Sequence, residues 1–190
     1  MSEESVRREL AGPLYGQEPW PIRFHTHAFG FRCYNTLSCS GVYNRYQFGT
    51  RKWIRGIAHD RPKGPPPVAN WRDDWTAGHA VLAKDGKTFP GPLEIEWTSL
   101  DGEEHATSID FDVLFKDRRV LHAVAREDIK ERWLETLSTE PVSPDILVEV
   151  NDRTVGVFMR ALLVIETGDA PELRSRRFRD DIVLAKSVTF

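Results

Sequence analysis

The stretch Leu93-Glu94-Ile95-Glu96-Trp97-Thr98-Ser99 alternates apolar and polar side chains for most of its length. In an extended chain successive side chains point to opposite faces, so Leu93, Ile95, Trp97 and Ser99 share one face and the two glutamates take the other. A helix cannot sort these residues in that way, and the segment is therefore a half-buried strand. Asp101-Gly102 follows, a pair that favours a tight hairpin turn. The return strand has two registers, one placing Ala106, Ser108 and Asp110 on the core face and the other Thr107, Ile109, Phe111 and Val113. The second is expected because it buries the apolar set.

The rest of the chain extends this β pattern. Residues 1–20 are polar and broken by Gly12-Pro13, Gly16, Pro19 and Pro21, which suggests a flexible or loosely packed arm, or one helical turn. The first core element is expected from Ile22, where Ile22 to Phe29 alternates. Phe31, Cys33 and Val42 to Phe48 continue a run rich in aromatic and β-branched residues, read as two or three antiparallel strands with turns at Asn35-Thr36 and Ser40-Gly41. Between Ala58 and His79 the composition changes, and Pro65-Pro66-Pro67 removes backbone donors, so this is a long loop. Its two tryptophans, Trp71 and Trp75, call for a packed or partner-facing position. Glu127 to Leu137 reads as an amphipathic helix, acidic at its start. Ile146 to Val150, a turn at Asn151-Asp152, and Thr154 to Ile165 form another hairpin, and a last strand begins at Ile182. The expected architecture is mainly β (α+β), an antiparallel sandwich or curved sheet with one main amphipathic helix, in a single domain over 1–190.

Composition narrows the function. The chain has 190 residues, enough for a sizeable core, with 26 basic and 29 acidic side chains and a net charge of −3. That balance supplies no field for nucleic acid or an anionic membrane, so neither is an expected partner. The N-terminus lacks an apolar signal region and a lipobox, and the longest apolar-rich run, Val155 to Ile165, is interrupted by Arg160, so a cytoplasmic chain with no membrane span is expected.

Several residue groups could carry chemistry. His25-Thr26-His27 would aim two imidazoles to one side of a strand, the spacing of a metal site, but no motif fixes a third ligand among His59, His79, His105 and His122. The alternative is a pair of imidazoles on a solvated or partner-facing face. Cys33 and Cys39 are too widely spaced for a redox or zinc motif. A hairpin-spanning disulfide is conceivable, but two buried or half-buried thiols are the expectation. No nucleophile elbow and no phosphate-binding glycine loop is present, so no catalytic residue and no cofactor is assigned. Asp101, Glu103, Glu104, Asp110 and Asp112 form an acidic stretch suited to a basic enzyme surface. Trp71, Asp73, Asp74 and Trp75 in the loop, with Tyr43, Tyr46, Arg45, Arg51, Arg55 and Arg72, have the aromatic and arginine composition of interface anchors. Arg174, Arg176, Arg177 and Arg179 form a basic run expected to be solvated or ion-paired.

In Leu93 to Ser99, followed by a polar turn, a return strand, a short helix and Ile146 to Phe158, the order of elements resembles the small β-rich immunity proteins encoded beside type VI secretion effectors. The Leu-x-Val-x-Trp-x-Ser strand of that family is similar to Leu93–Ser99, and its Gly-x-Val strand to Gly156–Phe158. The resemblance implies inhibition of a cognate toxin by tight binding, with no catalytic residues. The expected function is a non-enzymatic protein-binding module, an immunity or inhibitor protein that occludes the active site of its effector, with Trp71, Asp73, Asp74, Trp75, Asp101, Glu103 and Glu104 at the interface. A small metal-dependent enzyme using His25 and His27, and a structural component of a secretion or phage particle, are the alternatives.

Overall fold

A computed structural model describes residues 2–82, 85–166 and 177–190. The chain is mainly β. Helix α1 (Glu3–Ala11) is followed by β1 (His27–Tyr34), β2 (Thr36–Tyr43), β3 (Tyr46–Gly49), β4 (Lys52–Ile54), β5 (Ile57–His59) and β6 (His79–Val81). Then come β7 (Leu93–Ser99), β8 (Glu104–Ile109), α2 (Phe111–Leu114), α3 (Glu131–Thr136), β9 (Asp145–Asn151) and β10 (Thr154–Arg160). Strands β11 (Leu163–Val164), β12 (Phe178–Arg179) and β13 (Ile182–Thr189) complete the chain. One sheet has the order β13-β10-β9-β1-β6 and the other β3-β2-β7-β8; β4-β5 and β11-β12 are two-stranded.

The two larger sheets share one core. Phe29, Cys33, Val148, Val150, Val155 and Val157 of the first meet Cys39, Tyr43, Leu93, Ile95 and Trp97 of the second in a single buried cluster. This is the sandwich-like arrangement that alternation on Leu93–Ser99 requires, since each sheet hides one apolar face against the other. Among the described strands, pairing is antiparallel except between β1 and β9, which run parallel. The whole second sheet lies in the connection between those two strands, which is long enough to bring the chain back in the same direction.

The Asp101-Gly102 turn and the apolar register of β8 are present: Ile109 and Phe111 are buried. The strand ends at Ile109, and the carboxylate of the next residue, Asp110, accepts the backbone N–H groups of Asp112 and Val113 and starts α2, leaving Val113 exposed. Gly41 lies inside β2 instead of at a turn. A Cβ there would meet the Phe31 ring at 2.8 Å, so the glycine makes room for that side chain. The turn falls at Asn44-Arg45, both in the left-handed region.

The helices differ most from expectation. Among the described residues the longest helix lies in residues 1–20, where an arm or one helical turn was expected: Ser2 Oγ accepts the Ser5 N–H, and Glu3–Arg7 and Glu4–Arg8 pair one turn apart at 2.7 and 3.6 Å. The stretch expected as a continuous helix over 127–137 is divided. Ile129 forms a β-bridge with Ile165, and Lys130 N–H donates to the Val164 carbonyl, so only Glu131–Thr136 is α-helical. The apolar positions are still used, with Ile129, Leu134 and Leu137 buried. Among the described residues no helix is long and apolar enough to cross a membrane.

Candidate protein-binding surface

Among the described residues, strands β4 and β5 form a hairpin that pairs with no other strand. Its turn is Arg55-Gly56, with φ of 52° and 79°, the backbone shape that matches strand twist in a two-residue turn. Both strands are exposed along their whole length, and Trp53, Ile54 and Ile57 show 59, 51 and 64% of their surface. Exposed apolar side chains of this size, grouped on one projecting element, are unusual on a surface that has no interaction to make.

The hairpin is anchored at both ends. The N–H groups of Thr50 and Arg51 donate to the Cys39 carbonyl at 2.8 and 3.0 Å, and Lys63 pairs with Thr36 through backbone bonds of 2.8 and 3.0 Å. Across the base, Arg51 Nε donates to Asp60 at 2.7 Å, and its guanidinium reaches Ser38 Oγ at 3.2 Å and Glu96 at 3.9 Å. The hydrogen bond from Arg51 holds the Asp60 carboxyl below the ordinary carboxylate range. Residues 50–64 carry five cations and one carboxylate in a chain of net charge −3, so the projecting element is locally basic.

Trp71 and Trp75 are at 6 and 2% exposure, buried within the chain itself. They pack with Tyr34 and Leu147 against the outer face of the five-stranded sheet, their ring centroids 4.9 Å apart and Trp71 4.7 Å from Tyr34. The loop is latched there by Arg72, whose Nε and guanidinium reach Glu149 Oε2 at 2.6 and 2.5 Å. Glu149 is buried, and its other oxygen accepts from Asn151 Nδ2 at 3.0 Å. Arg72 also stacks on Trp71 and Phe158, 5.0 and 5.2 Å from their ring centres. The aromatic and arginine composition read as an interface is here a packed flap. Asp73 and Asp74, between the two tryptophans, are exposed.

The acidic turn is largely engaged within the molecule. Arg153, from the β9–β10 turn, pairs with Asp101 at 3.3 Å and with Glu103. Ser99 Oγ donates to Asp101 at 2.5 Å, and this bond, followed by Arg153, holds the Asp101 carboxyl below its usual range. The turn is also tied to Asp152, whose carboxylate accepts the Leu100 N–H at 3.0 Å and whose carbonyl accepts Trp97 Nε1–H at 2.7 Å. Glu104 is exposed and lines a cleft of about 330 Å³ with Arg51, Glu96 and His105.

His25 and His27 are buried, not solvated or partner-facing. Each has its own partner: His25 Nδ1 lies 3.1 Å from Thr88 Oγ1, and His27 Nε2 lies 2.9 Å from Tyr43 OH. Burial among Phe24, Phe89 and Tyr43 disfavours the imidazolium, lowering His27 to about 3, with His79 adding to the effect. Burial and the nearby Arg118 charge lower His25 as well. Among the described residues no group of three or more His, Cys, Asp or Glu is placed to hold a metal ion. Arg174 and Arg176 lie outside the described residues; Arg177 and Arg179 are exposed, and Arg179 pairs with Asp181 at 2.6 Å.

Sequence reasoning missed Trp53, Ile54 and Ile57 as a group. The signal was the Arg55-Gly56 pair flanked by isoleucines, a hairpin pattern with apolar positions on both sides of the turn. Comparison of the chain with protein-family models, curated proteins and solved structures finds no match.

Proposed function

We propose that the protein is a non-enzymatic binding module that grips a protein partner with the β4–β5 hairpin, and that it serves as an immunity-type inhibitor, seating the hairpin on a cognate bacterial toxin and occluding its active site. The observation that carries the reading is the anchored hairpin with Trp53, Ile54 and Ile57 exposed. Interfaces draw most of their energy from a few large side chains that leave water completely, and Trp is prominent among them. The five cations around the hairpin add steering toward an acidic partner surface. This reverses the polarity expected from the acidic turn, whose Asp101 and Glu103 are already paired with Arg153. The inhibitor part of the reading draws on the resemblance at Leu93–Ser99 and Gly156–Phe158, which are β7 and part of β10.

The test is a double substitution, Trp53→Ala with Ile57→Ala, in the full chain, titrated calorimetrically against the product of the adjacent gene. Trp53 exposes 59% of its surface, roughly 120 Å² of the ~200 Å² a Trp carries, worth about 3 kcal/mol on burial. With Ile57 included, affinity should fall by at least about 100-fold. Both side chains are exposed, so stability should change by no more than about 0.5 kcal/mol. Unchanged affinity would remove the hairpin from the interface. An adjacent product that binds neither form would remove the toxin reading.

A further inference from the structure

Strands β1 and β2 belong to different sheets, and the chain passes between them at Asn35, which has φ of 50°. The two strands face one another on leaving this corner, and their facing pairs can be followed inward. The Phe29 and Tyr43 ring centroids are 4.5 Å apart. Two residues nearer the corner on each strand, Phe31 packs on Gly41, where an added Cβ would lie 2.8 Å from the ring. The next step of two brings Cys33 opposite Cys39. Side-chain alternation keeps all three pairs on the same inter-sheet face. Both thiols are free and buried, and both belong to the one core cluster between the sheets.

We infer that Cys33 and Cys39 are a disulfide-forming pair that staples the two sheets, closed by exchange with a small disulfide such as oxidised glutathione. Cys33 is the thiol such a reagent meets. It lines an open cleft of about 310 Å³ beside Arg32, Thr50 and Lys63, whereas Cys39 has no exposed surface. The Cys33 thiolate attacks one glutathione sulfur and expels the other glutathione, leaving a mixed disulfide. The Cys39 sulfur, on losing its proton, then attacks Cys33 Sγ and expels the second glutathione. The protein dithiol gives up two electrons, the reagent disulfide takes them, and the two thiol protons end on the two released glutathiones. Burial raises the Cys39 thiol, so the second step is the slower one.

The Cys39 carbonyl also receives the Thr50 and Arg51 N–H groups, which places the staple at the root of the β4–β5 hairpin. The inference does not depend on what that hairpin binds. Closing a loop of seven residues, Cys33 to Cys39, raises the folding equilibrium constant by roughly fifty-fold on chain-entropy grounds.

The test incubates the full, folded chain with oxidised glutathione and follows intact mass, titratable thiols and the urea midpoint. The expected product is a monomer lighter by two hydrogens, free of glutathione and of titratable thiols after denaturation, with a higher urea midpoint. Cys39→Ser should stop at a single stable glutathione adduct on Cys33. A lasting adduct on the unsubstituted chain, a disulfide-linked dimer, or two thiols still titratable after denaturation would each overturn the inference. Should Cys39→Ser fail to fold, the mass of the unsubstituted chain decides alone.

Discussion

The buried imidazole of His27 makes this fold sensitive to mild acid, by an amount that can be worked from its surroundings. In the unfolded chain the group titrates near 6.5, and in the folded protein near 3, because burial disfavours its charged form. Between those values the unfolded chain binds a proton that the folded chain refuses. Stability therefore falls as pH is lowered from about 6.5 toward 3, at about 1.4 kcal/mol per pH unit. Lowering pH from 7 to 4 should cost about 3 kcal/mol through His27, with His25 acting in the same direction. Native carboxylates such as Asp60 and Asp101 add acid sensitivity at lower pH, so the informative quantity is a difference. Urea unfolding of the native chain and of His27→Phe at pH 7, 5.5 and 4 should give profiles that converge as pH falls. The variant loses the Tyr43 hydrogen bond and starts less stable, but lacks the imidazole's proton uptake. Parallel profiles would refute the reasoning, because they would mean that the folded protein protonates His27 as readily as the unfolded chain does.

Among the described residues, Arg72→Ala leaves Glu149, 2% exposed, with Asn151 as its remaining partner, and should cost about 3 kcal/mol in urea unfolding. Arg72→Ala with Glu149→Leu should recover most of that loss, since it is the unpaired buried charge that is costly. Gly49 has φ of 102°, and a Cβ there would lie 2.4 Å from the Cys39 carbonyl oxygen, so Gly49→Ala should destabilise the chain by roughly 2–3 kcal/mol, read as a lower thermal midpoint.

The fold was legible where one segment's pattern had a single solution. Leu93–Ser99 and Ile146–Val150 had to be strands and Asp101-Gly102 had to be a turn, because local preference and burial agreed; the β9–β10 turn falls at Asp152-Arg153, one residue beyond the expected Asn151-Asp152, since Asn151 pairs with Thr154. The helix over 127–137 was misread for a tertiary reason: Ile129 makes its backbone bridge to Ile165, a partner remote in sequence. Segment α1 was missed because only Ala11 of the helix is buried, so its signal lay in the Ser2 cap and the Glu–Arg spacing, with no apolar stripe to reveal it. At the candidate surface, composition correctly marked aromatic residues near arginines but could not tell a ring packed on its own sheet from one offered to a partner. Trp71 became core because Arg72 found Glu149, 77 positions away; nothing local to either residue encodes that meeting.

The same reasoning explains why the hairpin at 52–59 can serve as a recognition element while exposing so much apolar surface. A lone two-stranded hairpin is marginal in water, and one that must order itself on binding loses affinity to that ordering. Here the order is supplied from below. The Cys39 carbonyl holds Thr50 and Arg51, the Thr36–Lys63 bridge holds the returning chain, and Arg51 with Asp60 closes the base between them. The conformational cost is met when the sandwich folds, so the burial of Trp53, Ile54 and Ile57 is free to appear as binding energy. An anchor kept outside the core in this way adds little to stability, which is why its removal should be felt by a partner and hardly at all by the fold.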